Sequence, residues 1–342
     1  MYYLLSITGL AAALVAMGFL YQWFGAHYDR LRYASKGRWI DIGDGRRLYL
    51  LEKGSGDATV LFESGIAATN LNWFHIQEQI SRIATTASYD RAGLGWSSAC
   101  RTARTPGNIA VELHELLHGA GIKPPYILVG HSFGGLVMRR FALLYPEEVT
   151  SIVLVDPMRC EEWPPLDSTK QAMLDRALKL SSYAIPIAHL GLARLAVTSL
   201  LCRSGRVAER LAGAAGDGGK HVLGRIRGEV SKMPEEVWPI VAAHWSRPGY
   251  YAGMRSHVAA VPETVQEMQD SEPIRGIPVL VLTPGKSSPL SEDCLQRIGD
   301  SVQQVIATAS AHWIHLDEPE LVIDSIREMV MAAVPEEMAA TI

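Results

Sequence analysis

The segment Gly-His-Ser-Phe-Gly at residues 130–134 constrains the fold more than any other part of the chain. A short apolar run at residues 126–129 precedes it and predicts a buried strand, and residues 135–144 predict a helix. A strand that turns sharply into a helix leaves no room for side chains beside its central residue, which explains Gly130 and Gly134. Such a turn presents the Ser132 hydroxyl above the sheet as a nucleophile. The alternative interpretation is a glycine-rich turn with an idle serine.

Short apolar runs alternate with helical patterns along much of the remaining chain. The predicted strands are residues 38–42, 47–51, 59–63, 86–89, 126–129, 151–155, 277–283 and 302–306. The predicted helices are residues 72–83, 106–120, 135–144 and 319–333. This alternation predicts an α/β fold with a mostly parallel central sheet and helices on both faces.

The alternation stops between residues 157 and 276, where helical patterns interrupted by prolines replace it. We interpret this stretch as a helical cap inserted into the core. The predicted domains are a transmembrane anchor at residues 1–28, a first core part at 29–156, the cap at 157–276, and a second core part at 277–342.

The N-terminus predicts a single membrane-spanning helix. Residues 1–25 carry no charged side chain, and aromatic residues flank both ends of the apolar run. A signal peptide is one alternative, but no basic residue precedes Arg30. A core helix is the other. Basic residues at positions 30, 32, 36 and 38 follow the span, and the positive-inside rule then predicts a cytoplasmic catalytic domain.

Charge and composition exclude some partners. The chain has 342 residues and a net charge of −4, without a long basic block beyond the N-terminal flank, so nucleic-acid binding has no support. A small-molecule substrate and the membrane are the expected partners. The sequence does not predict an oligomeric state.

Four segments together resemble the α/β-hydrolase superfamily, in particular bacterial serine hydrolases with an N-terminal hydrophobic segment. They are Glu-Ser-Gly at 63–65, Asp-Arg-Ala-Gly-Leu-Gly-Trp-Ser at 90–97, the segment at 130–135, and His312 followed by Asp-Glu-Pro-Glu at 317–320. The resemblance implies an α/β-hydrolase fold and a triad in the chain order serine, acid, histidine.

The resemblance implies that His312 is the general base, with His315 as the alternative. The acid is less constrained, because no carboxylate directly follows the strand at 277–283. Asp156 follows the strand after the nucleophile helix, a position from which some members of the superfamily take their acid. Glu292 and Asp293 are the alternatives, although acidic residues at a helix start also serve as caps.

The resemblance also implies an oxyanion hole made of two backbone N–H groups. One belongs to Phe133, directly after the nucleophile. The other belongs to Ile66, because Ser64 and Gly65 occupy the place where relatives carry His-Gly. Asp90 and Arg91 are expected to be structural residues below the site.

A second motif competes for the function. Residues 114–118 read His-Glu-Leu-Leu-His, which on a helix places His114 and His118 on one face for Zn²⁺ with Glu115 as base. The third histidine of the longer metalloprotease motif would fall at Pro124, and no further ligand pair follows on a suitable helix. We therefore expect no metal site and no organic cofactor.

The sequence thus predicts a serine hydrolase that cleaves a carboxylic ester through an acyl-enzyme intermediate. Amide, lactone or perhydrolase chemistry on the same triad is the alternative within the class. A zinc metalloprotease and a non-catalytic, membrane-tethered binding domain are the alternatives from other classes.

Overall fold

One eight-stranded sheet forms the centre of the molecule, a computed structural model that describes residues 2–160, 167–202, 213, 216, 223–224 and 228–333. The strands are β1 (Arg38–Asp41), β2 (Arg47–Lys53), β3 (Thr59–Glu63), β4 (Thr85–Asp90), β5 (Tyr126–His131), β6 (Val149–Val155), β7 (Val279–Pro284) and β8 (Val302–Ala307). Their order across the sheet is β1-β2-β4-β3-β5-β6-β7-β8.

Strand directions follow the chain connections. The hairpin strands β1 and β2 pair antiparallel, β2 pairs antiparallel with β4, and all remaining neighbours pair parallel. Parallel neighbours need crossover connections, which the intervening helices supply. The predicted mostly parallel α/β sheet is therefore confirmed.

Helices cover the sheet and connect its strands. Those with defined bounds are α1 (Tyr2–Tyr33), α2 (Phe74–Ile80), α3 (Pro106–Ala120), α4 (Phe133–Leu144), α5 (Ser168–His189), α6 (Leu192–Cys202), α7 (Trp238–Trp245), α8 (Pro248–Ala259), α9 (Val261–Gln269), α10 (Glu292–Ile298), α11 (Ile314–Asp317) and α12 (Pro319–Ala333).

The core has two layers because successive side chains of a strand point to opposite faces. On one face, Leu128 of β5 belongs to a buried cluster that includes Phe141 of α4. On the other face, Val129 belongs to a cluster that includes Ile326 of α12. Both β5 and β6 are covered on both sides, which accounts for their nearly continuous apolar sequences.

Helices α5 to α9 lie between β6 and β7 in the chain and form what we call the helical insertion. It packs on the loops that follow β3 and β4. The Tyr250 hydroxyl donates to the Ala67 carbonyl at 3.2 Å, and the Arg247 guanidinium donates to the Gly95 carbonyl at 2.6 Å. The insertion thus covers the edge of the sheet where the parallel strands end.

Helix α1 continues without a break into the body of the molecule and packs on the insertion. The backbone of Gly18 approaches Leu190 so closely that an added Cβ would lie 2.5 Å from its carbonyl oxygen. Arg194 of α6, itself buried, pairs with Asp29 at 2.6 Å and donates to the Gln22 side chain at 3.0 Å. The helix therefore extends past residue 28, and one side of it contacts the insertion at Gly18, Gln22 and Asp29.

Candidate active site

Ser132 lies in a strained turn between β5 and α4. Its φ is 54° and its ψ is −119°, a combination that L-residues rarely adopt. Its N–H donates to the Val155 carbonyl at 3.0 Å. An added Cβ would lie 2.5 Å from the Glu63 carbonyl at Gly134, and 2.6 Å from the Gly134 carbonyl at Gly130. Only glycine fits at these two positions without a shift of the backbone.

Asp156 occupies the corresponding position at the end of the neighbouring strand β6. It too has a positive φ, of 43°, and its N–H donates to the Leu282 carbonyl at 2.8 Å. Its carboxylate oxygen Oδ2 lies 2.7 Å from Nδ1 of His312. With the carboxylate as acceptor, Nδ1 carries the proton, and Nε2 of His312 is left to accept one.

The two alternative acids lie elsewhere. Glu292 and Asp293 begin α10, where both are exposed. Asp293 pairs with Arg297 at 3.1 Å, and Glu292 accepts from Gln296 at 3.3 Å, each one helical turn onward. Among the carboxylates in the described residues, Asp156 is the one that contacts His312.

The loop that carries His312 is held by the acidic residues that follow it. Glu318 accepts hydrogen bonds from the Ala309 N–H at 3.0 Å and the Ser310 hydroxyl at 2.6 Å, and Asp317 accepts one from the Ala311 N–H at 3.2 Å. The two carboxylates therefore bind the three residues immediately before the histidine. This explains physically why a histidine, an acidic pair and a helix-starting proline occur together in the sequence.

His315, the alternative base, is buried below the site. Its ring lies 4.7 Å from Trp73 and 4.3 Å from His131 between centroids. Burial lowers its pKa to about 3, and neither ring nitrogen has a hydrogen-bond partner among the described residues. His312, in contrast, keeps 47% of its side chain exposed. Of these two histidines, only His312 has an exposed side chain.

His131 links the turn at Ser132, which we call the elbow, to the loop that carries His312. Its Nε2 donates to the His312 carbonyl at 2.9 Å, and the two rings lie 4.7 Å apart between centroids. Burial, followed by the neighbouring rings of His315 and His312, holds the pKa of His131 well below its ordinary value. A neutral His131 therefore holds the His312 backbone without adding a charge.

The loop after β3 lies against the elbow. A Cβ added at Gly65 would be 3.5 Å from Cβ of Ser132, so the backbone here approaches the serine closely. Ile66 follows directly, and the Phe133 N–H belongs to the first turn of α4, which has no intrahelical acceptor. Both candidate oxyanion donors therefore lie in segments that border the serine.

A buried ionic cluster holds this loop. The sequence predicted a structural role for Arg91 but not its partners Glu63 and Tyr89. Arg91 donates to the Ser64 carbonyl at 2.7 Å, to the Gly65 carbonyl, and to the Glu63 carboxylate at 3.0 Å. The Tyr89 hydroxyl donates to the same carboxylate. Burial raises the pKa of Glu63 although Arg91 opposes that shift. In the sequence, the sign of this cluster is Glu63, a charged residue at the end of the buried strand β3.

The His-Glu-Leu-Leu-His motif lies on α3, far from this site. His114 stacks on Tyr145 at the C-terminal end of α4, whereas Ser132 precedes the N-terminal end of the same helix. The twelve residues of α4 separate the two places by about 18 Å at 1.5 Å per residue. The motif is therefore not part of the constellation around the serine.

Comparisons with known proteins agree with the fold. A family model for the alpha/beta hydrolase fold matches residues 58–179. The chain is 35% identical over 105 residues to YqjL of Bacillus subtilis, covering 31% of this chain and 42% of that protein. It is 33% identical over 120 residues to an AB hydrolase superfamily protein of Gibberella zeae, covering 33% of this chain and 37% of that one. The matched region is thus less than half the length of either relative.

Solved structures share the fold over most of the chain. An epoxide hydrolase, CorEH, has a TM-score of 0.65 at 18% identity, and the match covers 87% of this chain and 99% of that one. The chain therefore has the α/β-hydrolase fold, as the sequence predicted.

Proposed function

We propose that this chain is a serine hydrolase that cleaves a carboxylic ester, with Ser132 as nucleophile, His312 as general base and Asp156 as the acid that orients it. The 2.7 Å contact between Asp156 Oδ2 and His312 Nδ1, beside the strained Ser132 turn, carries the proposal. The three residues are separated in sequence. Each follows the C-terminal end of a parallel strand, β5, β6 or β8, so that all three lie on the same side of the sheet.

In the proposed reaction, the Ser132 oxygen attacks the ester carbonyl carbon while Nε2 of His312 takes the hydroxyl proton. The N–H groups of Ile66 and Phe133 stabilise the negative oxygen of the tetrahedral intermediate. The intermediate expels the alkoxide, which leaves as an alcohol with the proton from His312. A water molecule then attacks the acyl-serine in the same way and releases the carboxylic acid.

The residue at the elbow argues against the chemistry of some structural neighbours. An aspartate nucleophile at this turn would indicate epoxide or haloalkane substrates, whereas Ser132 fits acyl transfer. Amide, lactone and perhydrolase chemistry use the same residues and remain the alternatives within the class. No metal or organic cofactor takes part in the proposed steps.

Covalent labelling tests the nucleophile directly. A fluorophosphonate probe is expected to label the wild-type chain at Ser132 and to leave Ser132→Ala unlabelled. Lack of labelling in a folded wild-type protein would instead favour a non-catalytic binding domain. Chelator-resistant activity would separate the serine mechanism from a zinc protease. A panel of nitrophenyl esters of increasing acyl length, with matched anilides, then defines the substrate class.

We also propose that α1 anchors the protein in a membrane by a single span, with the catalytic domain in the cytoplasm. Residues Ser6–Tyr33 form a helix long and apolar enough to cross a bilayer. Large apolar side chains of this helix are exposed, which a core helix would bury: Ile7, Leu10, Leu14, Val15, Met17, Phe19, Leu20, Trp23 and Phe24. Arg30 and Arg32 in the last turn support the cytoplasmic orientation.

Fractionation tests the anchor. The full chain is expected in the membrane fraction after alkaline washing, and a variant lacking residues 1–28 in the soluble fraction with its esterase activity retained. Truncation also removes Gln22, a partner of Arg194, so a second variant with several apolar residues of the 7–20 stretch changed to serine is the matched control. Soluble full-length protein would exclude the anchor.

A further inference from the structure

We propose that His114, His118 and Glu148 form a Zn²⁺ site that is separate from the catalytic site. Nε2 of His114 lies 3.0 Å from Oε1 of Glu148 and 3.1 Å from Nε2 of His118. The remaining separation, from Nε2 of His118 to Oε1 of Glu148, is 3.8 Å. Three potential ligand atoms from three side chains therefore converge on one point.

These separations match those of zinc ligands. Tetrahedral Zn²⁺ with bonds of about 2.0–2.1 Å places its ligand atoms about 3.3 Å apart, within the range of the three separations here. A circle through the three atoms has a radius of about 2.0 Å, so an ion slightly off their plane lies at bonding distance from all three. Two imidazole nitrogens and one carboxylate oxygen are ligands that zinc accepts, and His118, with 60% of its side chain exposed, leaves a fourth position for water.

The surrounding structure holds the ligands in place. His114 and His118 are one turn apart on α3, whose first turn is capped by Thr105 and which ends at Gly121 with a φ of 73°. The ring of His114 stacks on Tyr145, with 3.8 Å between centroids and 5° between planes. Rotation of the ring away from the site would lose this contact. The first ligand is thus already oriented before a metal binds.

The third ligand explains why the sequence did not predict this site. Glu148 is 34 residues from His114 and belongs to the short 3₁₀ turn Pro146–Glu148 after α4. The motif predicts a third ligand on a following helix, whereas the fold supplies one from a turn on a neighbouring segment. From the sequence we expected no metal site, and the proposal departs from this expectation because Glu148 lies close to both histidines.

The position of the site assigns it a structural role. An ion here would tie α3 to the C-terminal end of α4, about 18 Å from Ser132 along that helix. Because metal bound only in the folded state stabilises that state, zinc should raise the unfolding temperature and leave ester hydrolysis unchanged. Glu115, the base of a protease of this motif, would have no function in such a site.

Zinc titration of tag-free, chelator-treated full-length protein in detergent tests the proposal. Calorimetry is expected to show one equivalent bound with a dissociation constant of micromolar or below. A free zinc concentration about one hundred times the dissociation constant should raise the unfolding temperature by about 5 °C. His118→Ala, an exposed change that the fold tolerates, and Glu148→Gln should each weaken binding at least tenfold.

Two matched variants serve as controls. Glu147→Gln alters the exposed acidic neighbour of Glu148, and Glu115→Gln removes the motif's glutamate. Both should bind zinc as the wild type does, and both should keep their esterase activity. Absence of saturable binding up to 100 μM zinc, or equal binding by wild type, His118→Ala and Glu148→Gln, would overturn the proposal. If zinc instead produced a hydrolytic activity, and Glu115→Gln abolished it, the structural role would be overturned.

Discussion

The backbone strain at Ser132 predicts that glycine stabilises the protein at this position. A residue with a Cβ held at φ 54° and ψ −119° has a backbone strain energy of about 1–3 kcal/mol. Glycine lacks a Cβ and therefore avoids this strain. Glycine also makes the unfolded chain more flexible, which lowers the free energy of unfolding by about 0.4–1 kcal/mol relative to alanine. The net expectation is that Ser132→Gly exceeds Ser132→Ala in free energy of unfolding by about 0.5–2 kcal/mol.

Comparing the glycine and alanine variants isolates the backbone, because both lack the hydroxyl. Tryptophan fluorescence during heating reports unfolding, since the chain has eight tryptophans. The glycine variant is expected to unfold about 1–4 °C higher. The same pair at Ser325, inside helix α12, should show the opposite order, because glycine destabilises a helix interior by about 1 kcal/mol relative to alanine. If Ser132→Gly unfolds at or below the temperature of Ser132→Ala, the turn stores no strain.

Three further predictions concern the site and its support. Asp156→Asn should lower kcat by about 10⁴ through loss of the orienting carboxylate, while Asp293→Asn leaves it unchanged; the reverse ranking in ester hydrolysis would move the acid to α10. Buried His315 has a folded pKa of about 3 against about 6.5 when unfolded, so it contributes stability above pH 6.5 that is lost as the pH falls toward 3. His315→Phe should therefore make the free energy of unfolding depend less on pH in that window, by about 1.4 kcal/mol per pH unit. Urea titrations at several pH values measure this dependence, and the same dependence in variant and wild type would contradict the prediction. Gly134→Ala should destabilise the protein by about 1–3 kcal/mol because its Cβ would meet a backbone oxygen, whereas Gly249→Ala, with open space around it, should not; equal midpoints in urea would contradict the crowding.

The sequence predicted those parts of the molecule that depend on local patterns. The alternation of strand and helix patterns predicted the order of the elements, and the two glycines around Ser132 predicted the turn. Each of these features is determined within a few residues. The fold class followed from these patterns. Helix α1 extends to Tyr33 because its later residues have partners on the insertion, which local hydropathy does not reveal.

Local sequence patterns could not predict the contacts between distant segments. The sequence left the acid open between Asp156 and the pair at the start of α10, because the contact with His312 joins positions 156 residues apart. The hydrogen bonds of Arg91 to the loop after β3 and the approach of Glu148 to α3 were missed for the same reason. Their partners become neighbours only through the order of the strands.

The proposed triad is distributed over elements that differ in their resistance to opening. Ser132 and Asp156 follow β5 and β6, two interior strands that are buried along almost their whole length. His312 follows β8, which lies at the edge of the sheet and is largely accessible. Amide groups of interior strands exchange with solvent only on global unfolding, whereas edge strands and loops open locally. Gentle heating should therefore displace the base first and reversibly, so that activity declines while the nucleophile and the acid remain in register.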